Sequence, residues 1–272
     1  MTRITANGIG VNYQLDGSPE APVVTLSHSL ATDLGMWQPQ LAALTARFRV
    51  LRYDTRGHGG TDAPPGPYSF TQLADDVHAL LEALAIERTH FVGLSMGGMI
   101  GQTLALEHPQ ILHSLVLCDT AAQTPPEAGS LWDERMETAR TEGMEVHVEP
   151  TIERWFTQPT IDARLGAVDV IRAMIRRTSV AGYVGCGQAI KELDLLERLP
   201  DIHLPTLVVV GAEDPGTPVE AARAIQERIA GSELVVIESA SHLSNVEQPE
   251  AFNRALLGFL KGLPSSQGGP LV

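Results

Sequence analysis

What most constrains this chain is the rhythm of its apolar residues. Short apolar runs occupy residues 23–27, 50–53, 91–94, 115–117, 206–210 and 234–237. Strands this short and this continuously apolar must be covered on both faces. Amphipathic helical patterns fall between them, at 71–84, 97–107, 219–229 and 249–260. Strand and helix in alternation predict a mostly parallel α/β sheet flanked by helices. Ahead of this series, residues 4–13 alternate polar and apolar about Asn7-Gly8, which signals a hairpin.

The rhythm breaks once. From Thr120 to Leu204 the pattern is helical, with Trp132, Trp155, Phe156 and scattered arginines, and strands resume at Pro205. The expected organisation is therefore an α/β core at 1–119, a helical cap inserted at 120–204, the rest of the core at 205–262 and a turn-rich, frayed tail at 263–272. A chain of 272 residues is one large domain with an insertion.

Lys and Arg total 19 against 33 Asp and Glu, a net charge of -14. Such a surface repels phosphate backbones, and no basic cluster offsets it, so nucleic acid is excluded as a partner. No apolar run reaches the roughly 20 residues of a membrane span, and the first residues lack a secretory signal, so a cytoplasmic location is expected. Cys118 and Cys186 lie far apart without metal-type spacing. They read as reduced, buried thiols, and no metal or other cofactor is expected.

The chemistry concentrates at three places. Gly93-Leu94-Ser95-Met96-Gly97 follows a strand and opens a helix, the pattern of a sharp turn that exposes the Ser95 hydroxyl. A serine needs a general base beside it. His242 lies in the loop after the final strand, at the sheet edge that also carries Ser95. His78, His90, His108, His113, His147 and His203 fall on helix faces, element ends or the cap and are left structural. The base in turn needs a carboxylate to orient it. Asp214, directly after the strand at 206–210, and Asp119, at the end of the strand before the cap, can both reach that edge. The amide of Met96 at a helix start and that of Leu30, in the loop after residue 27, are the expected oxyanion donors. His28 and the turn Asp54-Thr55-Arg56-Gly57-His58-Gly59 read as supports for these loops.

These pieces resemble the α/β-hydrolase superfamily over essentially the whole chain. The carrying motifs are Asp54-x-Arg56-Gly57-His58-Gly59, Gly93-Leu94-Ser95-Met96-Gly97-Gly98, Gly211-x-x-Asp214-x-x-x-Pro218 and His242-x-x-x-x-Glu247-x-Pro249. The chain departs from the superfamily at His28-Ser29, where His-Gly is usual, and at Ser241, where Gly usually precedes the histidine. Within the superfamily it is most similar to bacterial 3-oxoadipate enol-lactonases. That narrower likeness rests on Ser27 to Trp37, Leu51 to Gly59, Leu117-Cys118-Asp119-Thr120-Ala121-Ala122, Arg140 to Met144 and Arg154-Trp155-Phe156.

The resemblance implies a Ser95–His242–Asp214 triad that opens a lactone through an acyl-enzyme, in the catabolism of aromatic compounds by the β-ketoadipate pathway. It leaves room for a homodimer. The lactone carries a carboxylate, so the cap of this acidic chain must offer a cation. Arg135, Arg140 and Arg154 are the candidates, with Trp132 packing on the ring. A broad carboxylesterase and a cofactor-free perhydrolase or haloperoxidase would share the same residues, and a ligand-binding receptor with vestigial hydrolysis would share the fold. A haloalkane dehalogenase uses an aspartate nucleophile, and position 95 is serine.

Overall fold

A computed structural model describes residues 2–163 and 166–263. The tail expected to fray lies, from residue 264 on, outside the described residues. The chain opens with an antiparallel hairpin, β1 (Thr2–Ala6) and β2 (Ile9–Asp16). At its turn both Asn7 and Gly8 have positive φ, 44° and 76°. That backbone matches the twist of the strands it joins. Six further strands follow: β3 (Val23–Ser27), β4 (Arg49–Tyr53), β5 (Thr89–Leu94), β6 (Leu112–Cys118), β7 (Thr206–Gly211) and β8 (Glu233–Ile237).

They form one sheet in the order β1-β2-β4-β3-β5-β6-β7-β8. Pairing is antiparallel from β1 to β4 and parallel from β4 to β8. Every residue of β5 and β7 is buried, as a strand covered on both faces requires. Helices α1 (Gln38–Thr45), α2 (Phe70–Ala83) and α3 (Met96–Glu107) connect the first strands. The chain leaves β3 toward β4 and returns to the other side of β3 as β5. Loops at the carboxyl ends of β3 and β5 therefore open onto a crevice, the usual location of a site in such sheets.

Between β6 and β7 the helices α4 (Gly129–Glu142), α5 (Val148–Trp155), α6 (Gln158–Asp162), α7 (Gly166–Arg177) and α8 (Val180–Lys191) form the inserted cap. Its two ends are tied together: Leu195 N–H donates to the Ala122 carbonyl at 2.7 Å and Thr124 N–H to that of Leu193 at 2.9 Å. The cap docks on the core through α8. Gly182 and Gly57 meet backbone to backbone, so closely that a Cβ on Gly182 would lie 2.0 Å from the Gly57 oxygen. Arg177 also pairs with Asp33 of the core. The chain closes with α9 (Val219–Arg228), α10 (Ser244–Glu247) and α11 (Pro249–Gly262). Among the described residues no helix is long and apolar enough to cross a membrane.

Candidate active site

Ser95 sits between β5 and α3 with φ 56° and ψ -117°, a conformation that a side chain disfavours and that the surroundings must enforce. The enforcement is visible. Ser95 N–H donates to the Cys118 carbonyl at 2.8 Å, and Thr120 Oγ1 donates to the Ser95 carbonyl at 2.7 Å. The flanking glycines have no room for a side chain: a Cβ on Gly93 would lie 2.1 Å from the Gly97 oxygen, and one on Gly97 would lie 2.2 Å from the Ser27 oxygen.

The structure brings Ser95, His242 and Asp214 into one hydrogen-bonded chain. His242 Nε2 lies 2.9 Å from Ser95 Oγ, and His242 Nδ1 lies 2.7 Å from Asp214 Oδ2. Asp214 is itself held by three donors. Thr217 Oγ1 reaches Oδ2 at 2.6 Å, while the Gly216 and Thr217 amides reach Oδ1 at 2.8 and 3.1 Å. This is an Asx-type turn, in which the aspartate caps its own loop. Burial pushes Asp214 up, but His242 and these donors outweigh it, so the carboxyl stays below its usual range. Burial likewise pushes His242 down, and the Asp214 charge overcomes it, leaving the imidazole above its usual value. Such a chain can take a proton from Ser95 and hold it as an imidazolium beside an anion.

Asp119, the other carboxylate at this edge, makes no hydrogen bond to His242 among the described residues. Its Oδ1 accepts from the Gly211 amide at 2.8 Å and its Oδ2 from Ser244 Oγ at 2.5 Å. Complete burial, with Asp214 nearby, pushes its carboxyl up to about 8.

Leu30 and Ser95 line the same cavity, and Met96, which directly follows the serine, is the first residue of α3. The loop that carries Leu30 is braced from below. Ala31, at φ 60°, donates its N–H to His58 Nε2 at 3.0 Å, and His28 Nε2 accepts from the Thr55 amide at 2.9 Å. Burial pushes His58 down to about 3, so both rings are neutral acceptors at ordinary pH. Asp54 anchors the same turn by accepting from the Leu34 and Gly60 amides and from Asn12 Nδ2.

The cavity above Ser95 holds about 320 Å³ and is roofed by the cap. Trp132, Arg135 and Arg154 line it, together with Trp155 and Tyr183. The Arg135 guanidinium sits 5.2 Å from the Trp132 ring centre. Arg154 donates to Thr151 Oγ1 at 3.2 Å, and burial with Arg135 nearby pulls its basicity down. Among the described residues neither guanidinium has a carboxylate partner. Arg140 is corrected: it pairs with Glu137 on the exposed face of α4 at 3.3 Å and does not line the cavity. Five residues beyond Arg135, it points about 140° around the helix.

Four contributors had no role assigned from the sequence. Trp155 lies against His242 with ring centres 5.7 Å apart and ring planes tilted by 31°. Thr217 holds the acid, and the Asp-x-Gly-Thr pattern is the signal that could have found it. Tyr183 brings α8 into the cavity wall. Glu247 accepts from the Ser241 amide at 2.8 Å and the Thr157 amide at 2.9 Å. Ser241, which replaces the usual glycine, donates to the Arg154 carbonyl at 3.0 Å, and Leu243 N–H donates to that of Trp155 at 3.2 Å. The end of α5 and the His242 loop are thus stitched together.

As to metal ligands, Asp75, Glu107 and His108 bring their ligand atoms within 4.8 Å of one another. None of them lines the cavity, and His108 Nε2 is engaged by Asp75 at 2.9 Å.

A family model described as the alpha/beta hydrolase fold matches residues 22–249. The chain belongs to the α/β-hydrolase family. Among members of this family, it is 38% identical over 258 residues to 3-oxoadipate enol-lactonase 2 of Acinetobacter baylyi, covering 95% of this chain and 96% of that protein. It is 32% identical to a protein of Agrobacterium fabrum named for carbamate hydrolysis, RutD, over 91% of this chain and 95% of that one. The crystal structure of the enol-lactonase from Burkholderia xenovorans superposes with a TM-score of 0.92 at 41% identity, covering 95% of this chain and 99% of that one. This α/β-hydrolase is accordingly a hydrolase, similar to lactonases over nearly its full length.

Proposed function

We propose that this α/β-hydrolase opens 3-oxoadipate enol-lactone to 3-oxoadipate, a step of aromatic catabolism by the β-ketoadipate pathway. The observation that carries the reading is the pair Arg135 and Arg154. Both line the cavity in front of Ser95 without a carboxylate partner among the described residues, in a chain of net charge -14. Two cations held in a half-buried wall suit an anionic substrate, because guanidinium–carboxylate contacts strengthen away from water. The lactonase relatives support the same substrate class.

In the proposed reaction His242 takes the Ser95 proton as Oγ attacks the lactone carbonyl, and Asp214 stabilises the imidazolium. The Leu30 and Met96 amides hold the oxyanion. Collapse breaks the ring C–O bond and the leaving enolate takes the proton from His242. The enol, still part of the acyl group, becomes the ketone. His242 then removes a proton from water, whose oxygen attacks the acyl carbon; the acyl C–Oγ bond breaks and His242 returns that proton to Ser95 Oγ. No cofactor enters the scheme. The working site is a small-molecule pocket.

The test is a panel of 3-oxoadipate enol-lactone, a neutral p-nitrophenyl ester and a simple carbamate, each assayed with the parent and with Ser95→Ala. The lactone is expected to give the largest kcat/KM, and Ser95→Ala to abolish it. Faster turnover of the neutral ester would make the chain a broad carboxylesterase, and faster turnover of the carbamate would align it with the RutD-named relatives.

A further inference from the structure

Leu117-Cys118-Asp119-Thr120-Ala121-Ala122 leads out of β6 into the cap, and the scheme above leaves its aspartate idle. Three consecutive residues of this segment touch three loops of the site. Cys118 accepts from the Ser95 amide at 2.8 Å, and Thr120 donates to the Ser95 carbonyl at 2.7 Å. Between them Asp119 takes φ 44°, in the left-handed region that non-glycine residues enter uncommonly and aspartate more readily than most. Its own amide is fixed to the Val209 carbonyl at 2.8 Å. Its carboxylate reaches across to Gly211, three residues before Asp214, and to Ser244, two residues after His242. Asp119 and Ser244 are both fully buried, so water does not replace a lost partner.

We propose that Asp119 is a positioning residue: by holding the Gly211 amide and the Ser244 hydroxyl at once, it sets the distance between the acid loop and the base loop, and so the seat of His242 against Ser95. The inference rests on the triad reading above. Removing the carboxylate leaves two buried donors unpaired. The Glu213 amide still bonds the Ala240 carbonyl at 2.9 Å and Ser241 Oγ the Glu213 carbonyl at 3.3 Å, but these hold the base loop ahead of His242, whereas Asp119 holds it beyond, at Ser244. Turnover suffers first, because a reacting group displaced by about 1 Å loses on the order of 100-fold in rate. Substrate binding, which draws on the cap, is spared.

The experiment measures kcat and KM on p-nitrophenyl acetate, so that its result does not depend on which lactone is the natural substrate. The proteins are the parent, Ser95→Ala, Asp119→Ala, Asp119→Asn, Ser244→Ala and the Asp119→Ala/Ser244→Ala double variant, each checked for folding by circular dichroism and thermal melting. Asp119→Ala is expected to lose kcat on the order of 100-fold with KM nearly unchanged. Asp119→Asn presents its carbonyl oxygen to Gly211 and its amide to Ser244 Oγ, and recovers most of that loss. Ser244→Ala loses part of it, and the double variant loses no more than Asp119→Ala, because the two side chains act as one clamp.

A folded Asp119→Ala with parental kcat overturns the proposal, as does a loss confined to KM. If Asp119→Ala does not fold, the other two single variants decide. A folded Ser244→Ala with parental kcat, or an Asp119→Asn as impaired as a triad variant, also overturns it. Activity surviving in Ser95→Ala overturns the triad reading and the clamp together. A dead Ser95→Ala beside an unaffected Asp119→Ala removes the clamp alone.

Discussion

Substituting alanine for Gly182 tests how firmly the cap is seated. The added Cβ would lie 2.0 Å from the Gly57 oxygen and 2.5 Å from its carbonyl carbon and Cα, all backbone atoms that no rotamer change can move aside. Ordinary contact begins at 3.4 Å, so α8 must lift by about 1.4 Å, an overpacking of the kind that costs about 1–3 kcal/mol. Unfolding entropy of about 2.1 cal/mol/K per residue gives about 0.6 kcal/mol/K for a chain of this size, so the melting temperature should fall by about 2–5 °C. The lift also carries Tyr183 out of the cavity wall, so KM for an ester substrate should rise while kcat changes little. Gly129→Ala is the control, because its Cβ meets only Lys191 Cε at 3.7 Å. That change should leave the melting temperature level or raise it slightly. Calorimetry and steady-state kinetics on both variants give the answer. If Gly182→Ala melts with the parent and keeps its KM, the glycine contact does not hold the cap down.

Further outcomes follow from the charges. Asp214→Asn should lower kcat by about 10⁴-fold, because the imidazole loses the partner that orients it. It should also move the acid limb of kcat/KM to lower pH, since burial depresses His242 and the Asp214 charge is the main influence that holds it up. Arg154→Gln or Arg135→Gln should raise KM for the anionic lactone by roughly 10- to 100-fold, the value of a charged hydrogen bond, and leave a neutral ester unaffected. Equal effects on both substrates would remove the arginines as the carboxylate anchor. His58 and His90 take up protons near 6.5 when unfolded, but burial lowers them to about 3 and about 4 in the fold. Unfolding therefore binds protons between those values, and stability should fall as pH drops below 6.5, by up to about 1.4 kcal/mol per pH unit for each ring. Urea midpoints should fall from pH 7 to pH 4, these and the other buried rings outweighing the opposite contribution of Asp119; midpoints that rise toward pH 4 would show that the rings titrate normally.

The β/α alternation was legible because each strand of the sheet's centre is buried on both faces and so leaves an unbroken apolar run. The ends were less so. β6 begins at Leu112, but His113 and Ser114 interrupt its run; Ser114 is paired with His90 Nδ1 at 2.8 Å on the neighbouring strand. Helix α1 left no trace, since its buried Gln40 bonds to Asn245 where an apolar residue would have marked a face. Ser95, Asp214 and His242 could be picked out because each follows a strand end at the same edge of the sheet. The partners that hold them, Thr217 and Glu247, depend on how loops close and on where the cap lands, which no periodicity records. The arginines show the limit best. The sequence offered Arg135, Arg140 and Arg154 as candidates, and only the angle around α4 separates Arg135, which lines the cavity, from Arg140, which does not.

The stitching of residues 154–157 to the loop around His242 bears on how such enzymes change their diet. A roof joined to its base only at the stem could be exchanged wholesale by recombination. Here one strip of that roof doubles as scaffolding for the proton carrier, so a graft that replaces it would disturb chemistry along with taste. Helices α4 and α7 are the parts free to diversify, and hybrids that preserve 154–157 together with Ser241 and Glu247 should remain competent hydrolases while acquiring new preferences.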